Sequence, residues 1–258
     1  MILYFSGTGN TKFVAEAFAD MLHDDLLNMA DYTRSGAKLS IHSERPYIIL
    51  APIYAWRYPR VVEELIRKAN LAGNNAVYCV ATRESQSGTA AKHMQKIITA
   101  KGMNFKGFTS VDMPNQYPLA SSQSTLEETR RYLETILPEL ENLVSRIQNN
   151  ERLEDRGNVI FPGLMSGLVN AVFCRFLVSS KRFTVSDACI GCGACAQRCP
   201  TKNIEMKDGM PHFGDKCTWC FGCVQYCPKA AIDMKGRTES RPRCTCPTYQ
   251  SIKTKQIN

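Results

Sequence analysis

Eight of the twelve cysteines in this 258-residue chain fall in two runs of identical spacing. Each run reads Cys-x2-Cys-x2-Cys-x3-Cys-Pro, and the runs begin at Cys189 and Cys217. The first three cysteines of such a run supply three thiolates to one cluster, and a four-iron cluster needs a fourth thiolate from elsewhere in the chain. The two runs therefore predict two [4Fe-4S] clusters.

The two runs form an internal repeat, because residues 189–206 align with residues 217–234. In bacterial two-cluster proteins, the cysteine before the proline ligates the cluster of the other run. We therefore predict two crossed ligand sets. The first set is Cys189, Cys192, Cys195 and Cys227, and the second set is Cys217, Cys220, Cys223 and Cys199.

Residues 184–236 resemble the clostridial-type ferredoxin, which implies a small α+β domain around both clusters. The alternative is a pair of zinc sites, since Cys-x2-Cys also begins zinc ribbons. A tetrahedral zinc site requires neither a third cysteine after two more residues nor a Cys-Pro after three more. The spacing therefore favours iron–sulfur clusters.

The chain begins with an apolar run, MILYF, followed by a loop of small residues and an amphipathic helix. A strand that leads through such a loop into a helix N-terminus makes an anion site from backbone N–H groups. The Rossmann pattern fails because Lys12 stands at the third glycine, and the Walker pattern lacks Gly-Lys-Ser/Thr. The loop resembles the phosphate loop of flavodoxins, which implies FMN binding by Ser6, Gly7, Thr8, Gly9, Asn10 and Thr11.

Apolar segments alternate with helical segments through the first 150 residues. This alternation predicts a doubly wound α/β fold with a parallel sheet. The strands are predicted at 1–5, 38–41, 47–51, 76–82 and 105–112. The helices are predicted from Pro59, at 88–100, and at 123–148 with a kink at Pro138. The flavodoxin resemblance implies the strand order 2-1-3-4-5, with FMN at the carboxyl ends of strands one and three.

The loops after the third and fourth strands are therefore predicted to contact the flavin. The first of them supplies Pro52, Tyr54, Ala55 and Trp56, and either Tyr54 or Trp56 is expected to stack on the isoalloxazine ring. The second supplies Thr82, Glu84, Ser87 and Gly88, which are expected to meet the pyrimidine edge of the ring.

Four segments follow from these assignments. We predict a flavodoxin-like FMN-binding domain at 1–150, a linker with an apolar interdomain helix at 151–183, the ferredoxin domain at 184–236, and a flexible tail at 237–258 that contains Cys244 and Cys246. The apolar stretch 159–180 could also span a membrane or lie along its surface. Pro162, two glycines, Asn170 and Arg175 oppose a span, so a helix packed between the domains is predicted.

The net charge of +8 lies entirely in the C-terminal part. Residues 159–258 carry 14 basic and 6 acidic residues, whereas residues 1–158 carry 18 of each. This distribution predicts redox protein partners with an acidic docking surface. No nucleic-acid motif accompanies the charge, so a nucleic-acid partner is not expected. The N-terminus reads as a strand and not as a signal peptide, so a cytoplasmic location is expected, in an anaerobe. The oligomeric state is left open.

Nearly the whole chain resembles flavodoxin–ferredoxin fusion proteins, also called EFR-type ferredoxins. The resemblance implies an electron-transfer protein that passes electrons between FMN, two [4Fe-4S] clusters and protein partners. The alternative is an FMN-dependent reductase of a quinone, a nitro compound or dioxygen, with the clusters as its electron source. The sequence has no Gly-x-Ser-x-Gly or His-Glu-x-x-His motif and indicates no catalytic side chain, so enzyme activity is left undecided.

Overall fold

The computed structural model describes residues 1–119, 123–155, 167, 169–239 and 241–257. Strands and helices alternate in the N-terminal part. In chain order, its elements are β1 (Ile2–Tyr4), α1 (Asn10–Leu22), β2 (Leu26–Asn28), α2 (Met29–Ser35), β3 (Ser40–Ser43), β4 (Tyr47–Pro52), α3 (Arg60–Lys68), β5 (Asn70–Gly73), β6 (Ala76–Arg83), α4 (Ala90–Ala100), β7 (Asn104–Asp112), α5 (Leu126–Thr135) and α6 (Leu137–Gln148).

Five of these strands form a parallel sheet in the order β2-β1-β4-β6-β7. When these five strands alone are numbered in chain order, the order in the sheet is 2-1-3-4-5, as predicted. The flavodoxin-like fold is therefore confirmed. One apolar core lies between the sheet and α1, α5 and α6, and a second lies between the sheet and α3 and α4. The carboxyl ends of the strands meet at one edge, where parallel α/β sheets bind ligands.

The position predicted for the second strand was wrong. Residues 40–43 form β3, which pairs with β5 in a separate two-stranded sheet. The main sheet instead takes its edge strand from β2, directly after α1. The carboxylate of Asp24, between α1 and β2, pairs with the Met1 ammonium group at 2.7 Å and helps to hold this edge strand beside β1. The backbone N–H of Ile2 then donates to the Asp25 carbonyl at 2.8 Å.

The helix predicted over 123–148 is two helices that meet at Ile136. Thr125 begins α5 with a capping box, in which its side chain and that of Glu128 each bond the backbone of the other. Pro138 lies in the first turn of α6. Backbone N–H groups there make no intrahelical hydrogen bond, so the absence of an N–H in proline costs nothing. Proline therefore starts the second helix and does not kink a single one.

The segment expected to be a surface linker is anchored to the sheet. Leu153 is buried, and its N–H donates to the Lys106 carbonyl at 2.9 Å. Residues 156–166 and 168, which include part of the linker and part of the apolar stretch, lie outside the described residues. The rest of the stretch continues as α7 (Asn170–Val172) and a π-helical turn, Phe173–Leu177. Of the helices described, none is long and apolar enough to cross a membrane.

The cysteine-rich part is a small α+β unit built from two antiparallel strand pairs and two short helices. Its elements are β8 (Phe183–Val185), α8 (Ala194–Arg198), β9 (Ile204–Lys207), β10 (Met210–Phe213), α9 (Gly222–Gln225) and β11 (Ile232–Met234). Strand β8 pairs with β11, and β9 pairs with β10. Its core contains Phe183, Trp219, Phe221, Val224, Ile232 and Met234.

The tail predicted to be flexible is folded against the flavodoxin part. It ends in α10 (Tyr249–Ile257), and Tyr249 and Ile252, three residues apart, are both buried against α1. The Tyr249 ring meets the Phe13 ring edge-on at 5.8 Å between centroids. Lys253 pairs with Asp20 of α1 at 2.6 Å. Tyr249 and Ile252 thus form an apolar contact face within an otherwise polar sequence. Composition alone does not predict this face.

Candidate functional site

A cavity of about 430 Å³ lies at the carboxyl edge of the sheet, between the sheet and the cysteine-rich unit. Its size is within the range of small-molecule sites, which is roughly 300–1,000 Å³. Ser6, Pro52 and Thr82 contribute to its wall from the ends of β1, β4 and β6. The cavity therefore occupies the position predicted for the flavin.

Five of the six predicted phosphate-loop residues line this cavity: Ser6, Gly7, Thr8, Asn10 and Thr11. The sixth, Gly9, is buried behind them with φ of 113°, and a Cβ there would lie 2.8 Å from the Cβ of Cys246. Only glycine fits this position, because both the backbone conformation and the space exclude a side chain.

Side-chain hydroxyls hold the conformation of the loop. Ser6 Oγ accepts a hydrogen bond from Gly9 N at 3.1 Å, and the Thr11 hydroxyl bonds the Thr82 hydroxyl at 2.7 Å in a buried contact. Within the described part of the chain, no side chain caps the first turn of α1. The N–H groups of that turn are the donors that an anion uses at a helix N-terminus, so the loop fits a phosphate group.

The loop after β4 forms a tight turn beside the cavity. Pro52, Tyr54, Ala55 and Trp56 all line the cavity, as predicted. Ala55 and Trp56 have φ of 47° and 66°, and Tyr54 and Arg57 exchange backbone hydrogen bonds of 2.8 and 3.3 Å across them. Left-handed conformations cost non-glycine residues roughly 1–2 kcal/mol each. Asn170 Nδ2 helps to hold the turn by donating to the Ala55 carbonyl at 2.8 Å.

The loop after β6 matches the prediction only in part. Thr82 and Glu84 line the cavity, but Ser87 and Gly88 do not. Ser87 is fully buried, where its hydroxyl bonds the Arg83 guanidinium at 2.9 Å and the Asp155 carboxylate at 3.3 Å. Ser87 and Gly88 thus lie outside the cavity lining, because this part of the loop turns inward and bonds the segment after α6.

The cysteine-rich unit supplies a wall of the cavity that was not predicted. Thr218, Trp219, Cys220 and Phe221 line it, and Phe173 packs edge-on against Trp219 at 5.6 Å between ring centroids. A difference between the two copies of the internal repeat could have indicated this wall. Trp219 and Phe221 occupy the positions of Gly191 and Gly193 in the first run.

All four of those positions have left-handed backbones. The φ values are 53° and 55° for Trp219 and Phe221, and 66° and 71° for Gly191 and Gly193. The first run thus uses the residue that suits this conformation, whereas the second run places buried aromatic rings there. Each ring buries a large apolar surface, which offsets the backbone cost.

The two parts of the molecule are in close contact at Gly7. A Cβ on Gly7 would lie 2.6 Å from the carbonyl oxygen of Cys220 and 2.7 Å from the Tyr54 hydroxyl. A Cβ on Gly222 would in turn lie 3.0 Å from the Gly7 carbonyl oxygen. Burial raises the pKa of Tyr54 well above its ordinary value, and negative charge on the nearby sulfurs of Cys220 and Cys217 raises it further. Tyr54 is therefore a neutral phenol at this contact.

Each predicted cysteine set surrounds a small cavity of its own, of about 20 Å³. Cys189, Cys192, Cys195 and Cys227 line the first, and Cys199, Cys217, Cys220 and Cys223 line the second. In the described part of the chain, no group of three or more His, Cys, Asp or Glu side chains is placed to hold a single metal ion. Each set of four thiols thus lines one small cavity, and a cluster held by that set would lie there.

Backbone amides point at the two crossing thiols. Asn203 N donates to Cys199 Sγ and Ala231 N donates to Cys227 Sγ, both at 3.2 Å, and the repeat relates these two contacts. Such bonds stabilise charge on a ligand sulfur. Burial raises the pKa of Cys217 to about 12 and that of Cys220 to about 11, so these thiols need a bound metal to become thiolates.

The comparisons with known proteins agree with this geometry. Residues 1–112 match the flavodoxin domain family, and residues 182–228 match the 4Fe-4S dicluster domain family. The chain is thus a flavin- and iron–sulfur-type redox protein. It is a flavodoxin–ferredoxin fusion, with the flavodoxin domain at the N-terminus and the dicluster ferredoxin domain at the C-terminus.

Several solved structures are similar to part of this chain. A flavoprotein from Bacteroides uniformis is 19% identical and covers 51% of this chain and 96% of its own, with a TM-score of 0.36. The Trp repressor binding protein of Bacillus subtilis is 14% identical and covers 54% and 97%, with a TM-score of 0.33. Rubredoxin oxygen:oxidoreductase from Desulfovibrio gigas is 13% identical and covers 58% and 36%, with a TM-score of 0.31. No curated protein matches the chain.

Proposed function

We propose that this chain is an electron carrier that holds FMN in the large cavity and one [4Fe-4S] cluster in each cysteine cavity. When bound, FMN exchanges one or two electrons and each cluster exchanges one, so the chain would join two-electron to one-electron reactions. The proposed divisions are the FMN domain at 1–150, the connecting segment at 151–183 and the cluster domain at 184–236. We further propose a cytoplasmic location.

One observation carries the proposal: the flavin cavity and the second cysteine cavity share part of their walls. Thr218, Cys220 and Phe221 line both of them. Among the described lining residues, the first cysteine cavity shares none with the flavin cavity. This arrangement supports an order of sites in which the second ligand set adjoins the flavin and the first ligand set lies farther from it.

The first cysteine cavity has exposed residues along its lining. Cys192 is exposed, and the neighbouring Ile190 is 59% exposed. Lys229 lines the same cavity and is also exposed. We propose that redox proteins with an acidic surface dock here, because an exposed apolar residue beside a cation suits a partner of opposite charge.

The walls of the flavin cavity favour a carrier over the reductase alternative. Tyr54 and Trp56 line it from the flavodoxin side, and Trp219 and Phe221 line it from the ferredoxin side. A reductase needs room for an acceptor beside the flavin, whereas a carrier needs only close contact between its redox sites. The residues of the chain serve here to bind, orient and shield the cofactors.

The test is the cofactor content of anaerobically purified protein. We expect one FMN, about eight iron and about eight acid-labile sulfide per chain. Bound zinc without labile sulfide would contradict the iron–sulfur assignment, and absence of flavin would contradict the FMN assignment. Steady-state turnover with quinones, nitro compounds and dioxygen then separates the two functions, since a carrier turns them over slowly if at all.

A further inference from the structure

One side chain of the ferredoxin domain connects the flavin cavity to the tail. Gln225 lies in the second cysteine run, midway between Cys223 and Cys227, and is almost fully buried. Its Nε2 donates to the Gln116 carbonyl at 2.8 Å, and its Oε1 accepts from the Cys244 N–H at 3.0 Å. Both hydrogen bonds are buried. The amide thus satisfies one backbone group of the loop after β7 and one of the tail.

Gln116 extends this network to the phosphate loop. Its own side chain lies among Thr8, Asn10 and Cys246. In the amide orientation that satisfies its neighbours, its nitrogen lies 2.9 Å from the Thr8 hydroxyl and its oxygen 2.9 Å from the Cys246 N–H. Gln116 and Thr8 both line the large cavity.

The tail completes the contact from behind the loop. The Cys246 N–H also donates to the Thr8 carbonyl at 3.0 Å, and Gly9 packs against Cys246. Thr8 therefore has Gln116 on one side and the tail on the other. Both of these are held by Gln225.

We infer that Gln225 is a positioning residue for FMN, which acts through Gln116 and the tail to fix the phosphate loop. This inference rests on the proposed binding of FMN in the large cavity. Because Gln225 sits between Cys223 and Cys227, one from each predicted ligand set, the folding of the cysteine runs and the affinity for FMN are linked. Such linkage is reciprocal, so bound FMN also stabilises the ferredoxin domain.

The internal repeat supplies a matched control for the test. Gln197 occupies the position of Gln225 in the first run, but it is exposed. The experiment measures the dissociation constants of FMN and of riboflavin by fluorescence titration of the full chain, kept anaerobic with its iron and sulfide restored. It compares wild type, Gln225→Ala and Gln197→Ala. Riboflavin lacks the phosphate, so it reports flavin binding without the phosphate loop.

We expect Gln225→Ala to weaken FMN binding about tenfold, which lies within the roughly 5–150-fold range of coupling between linked sites. Riboflavin binding changes much less, and Gln197→Ala binds both ligands as wild type does. A purely structural role would weaken the two flavins equally. Equal losses, or an unchanged FMN affinity in Gln225→Ala, would overturn the inference.

A second variant covers the case in which Gln225→Ala does not fold. Gln225→Glu keeps an oxygen for the Cys244 N–H but loses the N–H that bonds the Gln116 carbonyl. It should also weaken FMN more than riboflavin, and equal affinities to wild type would overturn the inference. Failure of the proposed function looks different, because wild type itself would then bind no FMN. Failure of this inference alone leaves wild type with FMN and a full complement of iron.

Discussion

The contact at Gly7 can be tested by adding one methyl group. In Gly7→Ala, the new Cβ would lie 2.6 Å from the Cys220 carbonyl oxygen, 2.7 Å from the Tyr54 hydroxyl and 3.0 Å from the Cys220 Cβ. These separations are too short for a carbon atom, so the loops must move apart. Gly7 does not have a left-handed φ, so the substitution adds no backbone strain.

The expected cost follows from overpacking. Inserting a methyl group into a well-packed contact typically costs about 1–3 kcal/mol. Because Gly7 belongs to the flavodoxin domain and Cys220 to the ferredoxin domain, this cost falls on the contact between the domains. Gly7 also lines the flavin cavity. We therefore expect a lower free energy of unfolding together with weaker FMN binding. The dissociation constant of FMN rises about tenfold for each 1.4 kcal/mol of this cost that is lost from the binding free energy.

The assay combines urea unfolding with FMN titration of the reconstituted full chain. Gly102→Ala is the control, because Gly102 has φ of 73° and no described atom lies within 4 Å of its added Cβ. It should lose about 1–2 kcal/mol of stability from backbone strain and keep its FMN affinity. The reasoning is refuted if Gly7→Ala unfolds at the same urea concentration as wild type and binds FMN equally well.

Three further predictions concern the clusters, alkaline pH and charge. Cys199→Ala and Cys189→Ala should lose paramagnetic signals from different clusters, and loss of the same cluster in both variants would contradict crossed ligation. Burial raises the pKa of Tyr4 to about 12 from 10.0, so its contribution to stability is complete below pH 10 and is lost as the pH rises towards 12. Unfolding of Tyr4→Phe should therefore depend less on pH in that window, and parallel curves for the two proteins would argue against it. Lys229→Glu should slow stopped-flow reduction by an acidic ferredoxin at low salt while leaving the intramolecular phase unchanged; equal slowing of both phases would show that Lys229 does not act in docking.

Local sequence patterns predicted the parts of this protein that depend on nearby residues. The parallel sheet follows from the alternation of apolar runs with helices. The phosphate loop follows from a strand, a run of small residues and a helix start in immediate succession. The cysteine runs carry their ligand spacing within a few residues, and the repeat adds the crossing partner.

The features that sequence missed depend on contacts between distant residues. Ser87 was expected to meet the flavin, but Asp155 and Arg83 hold it inside the domain. The tail was predicted to be flexible because its sequence is polar, yet Tyr249 contacts Phe13 and Glu16 on α1. No local sequence pattern predicts such contacts, since neither residue of a pair shows by itself which distant residue it contacts. The edge strand β2 was missed for the same reason, because it is held by contacts with distant residues, including the ion pair of Asp24 with Met1.

The contact between the tail and the phosphate loop also bears on the order of assembly. Thr8 and Gly9 leave the ribosome early, whereas Cys246, which packs against them, follows only after both cysteine runs. N-terminal domains generally fold first during synthesis, and contacts that close long loops form late. A nascent flavodoxin domain would therefore hold its flavin with one side of the phosphate loop uncovered and release it readily. Firm retention of the flavin would begin only once the ferredoxin domain and tail have folded.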